Sequence, residues 1–422
     1  MKRHYISILL VSLVISLLIS CVSYKTPVRN SNVAFLYNPS STPLHPECLV
    51  YHNADTTSTV FVRININELL FQQKERDQEP EALLKIHFKL LDSFLGNNIK
   101  DSATCLYSVD MKIQGEFLYI DFPVRAKKEN QYLLDILIFD MNRGRGNQLF
   151  ISIDKRDIFS QQNFLLIDVN GNPVFTRIIY PDSSYVLRHR DADGKTLKMR
   201  HYGKRFGTPA PPFSVSSIKT YSLKPDTTIR NLISDTICVK KYGLYFITLD
   251  TADTEGFSFL NFGPFFPEVK TAETLLEPMR YLTSIREMKE YYMFDSKKEA
   301  VDNFWMKSAG NINRARELIR VYYTRVKYAN YYFTSYTEGW RTDRGMMYII
   351  FGPPSTIYKN DSQERWIYGT TQSSHVMNFA FNKVKNIYSD NDFELYRSEI
   401  YKITWYQAIE TWRDGRVFSI VK

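Results

Sequence analysis

The sequence predicts two all-β, sandwich-like (immunoglobulin-like) domains followed by a C-terminal α+β domain. Between about residues 34 and 266, apolar residues alternate with polar ones, which is the period of half-buried strands. From about residue 282 onward they recur at steps of three and four, which is the period of amphipathic helices. A chain of 422 residues also exceeds one ordinary hydrophobic core. The predicted domains span residues 34–162, 163–266 and 267–422.

Residues 1–20 have the features of a lipoprotein signal peptide. A basic start precedes an apolar run from Ile8 to Leu18, and the segment ends at Cys21 in a Leu-Ile-Ser-Cys sequence similar to a lipobox. This run of 11 positions is shorter than the roughly 20 residues that a membrane-spanning helix needs. We therefore expect Cys21 to be the acylated first residue of the mature chain. The polar residues 21–33 are predicted to form a lipidated tether.

The first predicted sandwich contains three clear alternating segments. Each presents an apolar residue at every second position, so one face of each strand is buried; the segments are Val60–Ile66, Leu84–Leu90 and Tyr107–Ile113. In the second predicted β domain, Asn170-Gly171 and Asp193-Gly194 mark tight turns, because these residue types tolerate positive φ angles.

Helical signals dominate the predicted C-terminal domain. Ser296 and Glu299 have the spacing of a capping box, in which each side chain accepts a backbone N–H at the start of a helix. A longer helix is predicted from about Asn313 to Phe333, and a terminal helix from Trp405 to Trp412, because apolar residues recur there at three- and four-residue steps.

Charge and cysteine content narrow the function classes. The formal net charge is +9, and no dense Lys/Arg tract occurs, so nucleic acid is not an expected partner.

Besides Cys21, the chain has Cys48, Cys105 and Cys238. Cys48 and Cys105 lie in one predicted domain, and a disulfide between them would close a loop of roughly 58 residues worth about 4 kcal/mol. Buried free thiols are the alternative.

A short motif follows the long predicted helix. It reads Gly339-Trp340-Arg341-Thr342-Asp343 and is followed by Arg344-Gly345, a predicted apolar strand from Met346 to Phe351, and a Gly352-Pro353-Pro354 turn. In this order the residues resemble the GWxTD-domain family. The resemblance covers about residues 270–420 and implies the α+β fold of that part. The family is typical of Bacteroidota, and no reaction or cofactor comes with its name.

The motif has two interpretations. In the structural one, Gly339 ends the long helix in a left-handed conformation and Trp340 folds back over the last helical turn. Thr342 or Asp343 would then accept backbone amides at the start of the next element, and Asp343 would pair with an arginine, of which Arg341, Arg344 and Arg413 are candidates. In the other interpretation the same residues form a binding or catalytic site around Asp343.

The sequence lacks the motifs that are typical of several common catalytic mechanisms. The sequence contains no Gly-x-Ser-x-Gly elbow, P-loop, His-Glu-x-x-His or Cys-x-x-Cys. The histidines of the mature chain show no metal-ligand spacing on a common predicted helix; they are His45, His52, His87, His189, His201 and His375. We therefore expect no metal, no cofactor and no catalytic activity, although residues brought together by folding are an alternative.

The residues after Cys21 predict the location. Val22 occupies the position where an Asp would retain a lipoprotein in the inner membrane, so outer-membrane lipid is the expected anchor. Surface-exposed lipoproteins of Bacteroidota usually carry acidic residues just after the cysteine, and residues 22–25 include none. We therefore expect the protein to face the periplasm.

Composition and resemblance together lead to three functional hypotheses. The chain has 29 Tyr, a residue suited to interfaces because the ring buries area while its hydroxyl stays wet. The first hypothesis is a non-catalytic adaptor of a large envelope assembly, with the type IX secretion translocon or ring as the expected partner complex. The second is an envelope enzyme whose site includes Asp343. The third is a glycan- or peptidoglycan-binding lipoprotein.

Overall fold

The computed structural model describes residues 31–73, 79–94, 96, 98–113, 115–157, 160–191, 195–214, 224–232, 236–249, 255–369 and 376–420. The predicted signal peptide, Cys21, the tether up to residue 30, the Asp193-Gly194 turn and His375 lie outside the described residues. Within these ranges, every helix is either too short or too polar to cross a membrane.

A β-sandwich forms the N-terminal part of the described chain. Its three-stranded sheet has the order β1 (Glu47–Tyr51), β2 (Ser58–Asn65), β5 (Phe117–Val124). Its four-stranded sheet has the order β4 (Ile99–Asp110), β3 (Glu81–Leu91), β6 (Gln131–Asp140), β7 (Arg145–Asp154). The alternating residues of β2 and β3 supply much of the shared core, as their period predicts.

A second pair of antiparallel sheets follows. One sheet has the order β12 (Thr236–Cys238), β9 (Ser184–His189), β8 (Phe164–Asp168). The other has the order β11 (Thr227–Leu232), β10 (Thr196–Tyr202), β13 (Gly243–Leu249), β14 (Phe257–Asn261). Their inner faces enclose a core that includes Phe164, Leu187 and Phe259.

The C-terminal domain combines helices with one antiparallel sheet. The helices are α1 (Ala272–Leu276), α2 (Ile285–Tyr292), α3 (Lys297–Ala309), α4 (Ile312–Phe333), α5 (Asp343–Phe351) and α6 (Lys402–Arg413). The sheet has the order β15 (Thr356–Lys359), β16 (Gln363–Tyr368), β17 (Met377–Lys383), β18 (Phe393–Leu395). Three fully buried tryptophans, Trp305, Trp366 and Trp412, lie in its core. The predicted fold class, β-rich sheets followed by an α+β domain, is confirmed.

One element was predicted with the wrong type. Residues 346–351, expected to be an apolar strand, belong to helix α5. Every residue of α5 is buried, so the helix has no polar face and its sequence shows no helical period. The Thr342 side chain accepts the Gly345 N–H and starts the helix, and Gly352, with a φ of +85°, ends it.

The segment ahead of the sandwich packs against the C-terminal domain. The sequence predicts a tether up to residue 33 and a sandwich from residue 34. In the structure, Asn32–Tyr37, which we call the N-terminal strap, lies along the edge strand β15. The Val33 N–H donates to the Ile357 carbonyl at 2.9 Å, and Asn32 Oδ1 accepts the Ile357 N–H at 3.0 Å. Val33 and Tyr37 are buried within the C-terminal core.

The expected disulfide between Cys48 and Cys105 is not formed, and both residues are free thiols, as is Cys238. Cys105 lies in β4, which borders β5 at the open edge of the sandwich. Cys48 lies in β1, which belongs to the other, three-stranded sheet of the sandwich. The pairing prediction is therefore wrong.

The buried His52 predicts a pH dependence of stability. Its ring nitrogens lie 2.9 Å from Ser58 Oγ and 3.0 Å from the Asp154 carbonyl oxygen. Burial lowers the pKa of His52 from 6.5 to about 4. Because the folded-state pKa lies below the unfolded value, this group's contribution is complete above pH 6.5. It is lost as the pH falls toward 4, by about 3 kcal/mol in all.

Urea unfolding at a series of pH values measures this contribution. The free energy of unfolding of the wild type should fall more steeply between pH 6.5 and 4 than that of a His52→Gln variant, in which no imidazole is left to titrate. Parallel curves for the two proteins would contradict the assignment.

Candidate functional site

The sequence motif forms a tight corner between α4 and α5. Residues Gly339–Arg341 make one 3₁₀ turn, and α5 begins at once after it. A Cβ atom at Gly339 would lie 2.0 Å from the Ala329 carbonyl oxygen, and one at Gly345 would lie 1.9 Å from the Gly339 carbonyl oxygen. Close backbone contact therefore requires both glycines. The expectation of a left-handed Gly339 is wrong, because that residue lies inside the 3₁₀ turn rather than at a helix end.

Trp340 connects the corner to the last turns of α4 through a backbone hydrogen bond. Its backbone N–H donates to Asn330 Oδ1 at 3.0 Å, and its carbonyl accepts the Tyr281 hydroxyl at 2.7 Å. The indole is buried, with the Arg341 guanidinium 4.3 Å from its ring centroid. The backbone and the ring of Trp340 are thus both engaged by the surrounding protein.

The side chains of Thr342 and Asp343 are also engaged by partners within the protein. Thr342 Oγ1 donates to the Gly339 carbonyl at 2.8 Å and accepts the Gly345 N–H at 3.1 Å. Asp343 is fully buried and accepts the Leu395 N–H at 2.8 Å. Its Oδ1 atom lies 2.6 Å from an Arg397 nitrogen, and its Oδ2 atom lies 3.1 Å from another nitrogen of that side chain. Both carboxylate oxygens therefore have partners.

The arginine that pairs with Asp343 differs from those expected. Arg341, Arg344 and Arg413 were candidates on sequence grounds, whereas the partner is Arg397, just beyond β18. Arg397 lies 54 residues from Asp343, and no local spacing rule links positions that far apart. The N–H of Leu395 and the charge of Arg397 reach Asp343 only because β18 packs beside α5.

Arg344 lies in a second buried cluster beneath the corner. One guanidinium nitrogen donates to Glu364 Oε1 at 3.1 Å, and another donates to the Asn391 carbonyl at 3.0 Å. The guanidinium centre lies 5.0 Å from the Phe333 ring centroid and 4.1 Å from that of Phe393. Such stacking suits the flat, weakly hydrated guanidinium better than a lysine ammonium.

Glu364 collects donors from four directions. Besides Arg344, its carboxylate contacts Lys359 Nζ at 3.0 Å, the Tyr37 hydroxyl at 2.7 Å and Trp366 Nε1 at 3.2 Å. Burial alone would raise the pKa of Glu364, but the Lys359 and Arg344 charges and the Tyr37 hydroxyl lower it to about 2. Glu364 is therefore ionised, and the strap residue Tyr37 is bound to the cluster that contains Arg344.

The Gly352-Pro353-Pro354 turn closes the other end of α5. Arg325 donates to the carbonyls of Ile349 and Ile350 at 3.1 and 3.0 Å, which satisfies two of the last carbonyls of the helix. The Gly352 carbonyl accepts the Tyr368 hydroxyl at 2.9 Å. Pro353 is exposed and Pro354 is buried in the turn that leads to β15.

The motif meets a cleft of about 280 Å³ at Trp340 and Arg341. Arg280, Lys289 and Tyr292 also line it. Arg341 is already engaged there, since it donates to Glu277 at 2.9 Å and its Nε atom lies 3.2 Å from Glu338. In the part of the chain that the structure describes, no group of three or more His, Cys, Asp or Glu residues is arranged to hold a metal ion.

Comparison with protein families now identifies this part of the molecule. Residues 243–414 match the family model of the GWxTD domain. The chain contains a GWxTD domain. The match begins at the first residue of β13, so it includes two strands of the second β region and starts earlier than the motif-based resemblance over residues 270–420. No curated protein matches the chain.

Several residues of the GWxTD corner were not singled out from the sequence. They are Tyr37, Lys359, Glu364, Asn391 and Arg397. A signal existed for one of them: Glu364 shares its strand face with Trp366 and Tyr368, and a carboxylate on an aromatic strand face indicates a buried ion pair.

Cys21 lies outside the described residues, so its acylation stays a prediction.

Proposed function

We propose that this protein is a non-catalytic lipoprotein, anchored by Cys21 to the periplasmic face of the outer membrane, that serves as an adaptor of an envelope protein complex. The observation that carries the proposal is that polar side chains of the GWxTD motif are hydrogen-bonded or ion-paired within the protein. Thr342, Asp343 and Arg344 direct their polar atoms to partners within the protein. A catalytic acid or base needs a polar atom within reach of substrate, and the buried Asp343 carboxylate offers none.

The strap supports a defined placement of the GWxTD domain. About ten residues separate Cys21 from the start of the strap, and they span at most about 35 Å when fully extended. Since the strap is fixed to β15 and to Glu364, an acylated Cys21 would keep the GWxTD domain within that distance of the membrane. The β-sandwich would then be joined to the membrane through the GWxTD domain.

An exposed apolar stripe supports the adaptor role. Tyr396, Ile400, Ile403 and Tyr406, which we call the docking stripe, lie before and along the start of α6. Ile400 and Ile403 are 76% and 71% exposed, which is unusual for neighbouring aliphatic side chains. Clustered exposed apolar residues typically mark protein–protein contacts.

The partner we propose is the translocon or ring of the type IX secretion system. The reason is contextual: GWxTD domains are typical of Bacteroidota, where this system is a large outer-membrane assembly in need of periplasmic lipoproteins. The test is crosslinking in intact cells followed by purification of the tagged full chain. Recovery of translocon or ring subunits with the wild type is the expected result.

Matched variants make this test specific. Ile403→Asp places a charge in the docking stripe and should abolish recovery of the partner. Ile312→Asp, at the start of α4, makes the same change at an exposed isoleucine outside the docking stripe and should leave recovery unchanged. Recovery of no envelope subunits by the wild type, or equal recovery by both variants, would refute the adaptor proposal.

The strap gives a further prediction. Tyr37→Phe removes the hydroxyl that donates to the ionised Glu364, so the free energy of unfolding of the GWxTD domain should fall by about 1.5 to 3 kcal/mol. Tyr358→Phe, a neighbouring exposed tyrosine on β15, should change it by less than about 0.5 kcal/mol. Thermal unfolding of the three proteins measures the difference, and equal stabilities would show that the strap is not held by Tyr37.

A second candidate function is glycan binding at the cleft beside Trp340. Tyr292 is exposed there next to the charged Arg280 and Lys289, a combination found in saccharide and acidic-ligand sites. Retention of the protein on immobilised peptidoglycan, lost in Tyr292→Ala, would favour this function over the adaptor role.

A further inference from the structure

The outermost strand of the first sandwich has a free edge. In the described part of the chain, β4 pairs with a strand on one side only, where it meets β3 in regular register from Asp101 to Asp110; a β-bulge at Lys100 shifts the register before Ile99. The 12 residues of β4 make it a long edge strand. Between Ser102 and Val109 it carries no charge, proline, glycine or bulge, which are the features that usually keep edge strands from pairing; the bulge at Lys100 lies at its end.

Apolar side chains accompany this edge. Leu106 is 69% exposed on the outer face of β4, and Ile99 and Met111 are about half exposed at the ends of the strand. A cleft of about 640 Å³ lies between β4 and β5, where the two sheets of the sandwich separate. An unpaired backbone edge flanked by exposed apolar groups fits one kind of occupant, which is another extended strand.

The sequence of β4 identifies that occupant, because the strand is complementary to itself. If two copies of β4 run antiparallel with Cys105 opposite Cys105, then Lys100 of each copy, at the bulge, lies beside Asp110 of the other. The two-fold axis therefore creates the Lys100–Asp110 pair twice. We infer that the protein forms a symmetric dimer in which two β4 strands pair and join the four-stranded sheets into one continuous sheet.

The rest of the strand fits the same register. On the outer face, Ser102 lies opposite Ser108, and Thr104 lies opposite Leu106. Cross-strand pairs of hydroxyl, apolar and opposite-charge side chains are the ones that stabilise antiparallel strands.

Neighbouring registers are excluded by burial and charge. A shift by one residue would set the core-facing residues of one copy against the solvent-facing residues of the other, because directly opposed residues share a face. A shift by two residues in one direction places Lys100 opposite Lys112, and the same shift in the other direction places it opposite Ser108. The first brings like charges together, and the second leaves Lys100 without its counter-charge.

The dimer is independent of the lipid anchor and of the adaptor role, and charge exchange tests it directly. The full mature chain in mild detergent should have the mass of a dimer by light scattering. Lys100→Asp should raise the dimer dissociation constant roughly 10- to 100-fold, because the altered pair occurs twice. The double variant Lys100→Asp/Asp110→Lys should restore dimerisation.

Two controls keep the result specific. Lys85→Asp makes the same charge change on β3, one strand away from the edge, and should leave the dimer intact. Asp110 also accepts the Lys112 N–H at 2.8 Å, so the melting temperature of the double variant is measured alongside its mass. A monomeric wild type overturns the inference. A Lys100→Asp variant that dimerises as well as the wild type overturns it as well.

Hydrogen exchange locates the interface. Backbone amides of residues 99–110 should exchange more slowly in the dimeric wild type than in Lys100→Asp at the same protein concentration, because the free edge becomes paired. Exchange rates that are equal in this strand would place any dimer contact elsewhere and refute the β4 interface.

Discussion

Replacing Asp343 with asparagine is expected to lower the free energy of unfolding of the GWxTD domain by about 3 to 5 kcal/mol. The substitution removes one charge of a buried pair and leaves the Arg397 guanidinium without its counter-charge. All five tryptophans of the chain lie within the GWxTD domain. Tryptophan fluorescence during urea unfolding therefore reports on this domain and measures the loss.

An exposed aspartate of the same domain is the matched control. Asp361 lies in the turn between β15 and β16, so Asp361→Asn should change the stability by less than about 0.5 kcal/mol. The structural role of Asp343 would be contradicted if Asp343→Asn kept wild-type stability. Loss of a biological activity at unchanged stability would instead identify Asp343 as part of a functional site.

The second large effect is expected for Gly345→Ala. Helix propensity alone predicts that alanine inside α5 stabilises the domain by about 1 kcal/mol. However, the new methyl group would lie 1.9 Å from the Gly339 carbonyl oxygen and 3.1 Å from Trp340 Cα. The backbone of the corner would have to move apart, and we expect a loss of about 3 kcal/mol.

Gly207→Ala separates steric conflict from the general effect of replacing glycine. A Cβ atom at Gly207 has nothing within 4 Å, so this variant should be neutral or slightly more stable. Thermal unfolding of both variants compares them. A Gly345→Ala variant as stable as Gly207→Ala would show that the corner tolerates a side chain and that the close contact is not what requires glycine.

Regular periodicity explains which elements were predictable. Helix α4 was predicted from residue 313 and runs from Ile312 to Phe333, because one of its faces is apolar and Asn311 caps its start. Strands β2 and β3 were predictable because only one face of each is buried. Helix α5 was not, since a helix buried on all sides carries no period by which sequence could distinguish it from a strand.

The polar partners of the motif were less predictable than its position. Thr342 was correctly expected to accept a backbone amide, because a cap is a local interaction. The partners of Asp343 and Arg344 come from β16, the segment before β18 and the residues beyond it, and their contacts depend on tertiary packing. The strap was missed for the same reason, since the short apolar segment from Val33 to Tyr37 gives no sign of the surface it will bind.

A double-mutant cycle on Asp343 and Arg397 tests most directly the claim that the GWxTD motif serves the fold. The stabilities of Asp343→Asn, Arg397→Met and the double variant are measured by urea unfolding with tryptophan fluorescence. We predict a coupling energy of about 2 kcal/mol or more, so that the double variant loses clearly less stability than the sum of the single ones. Additive losses, within about 0.5 kcal/mol, would contradict the account.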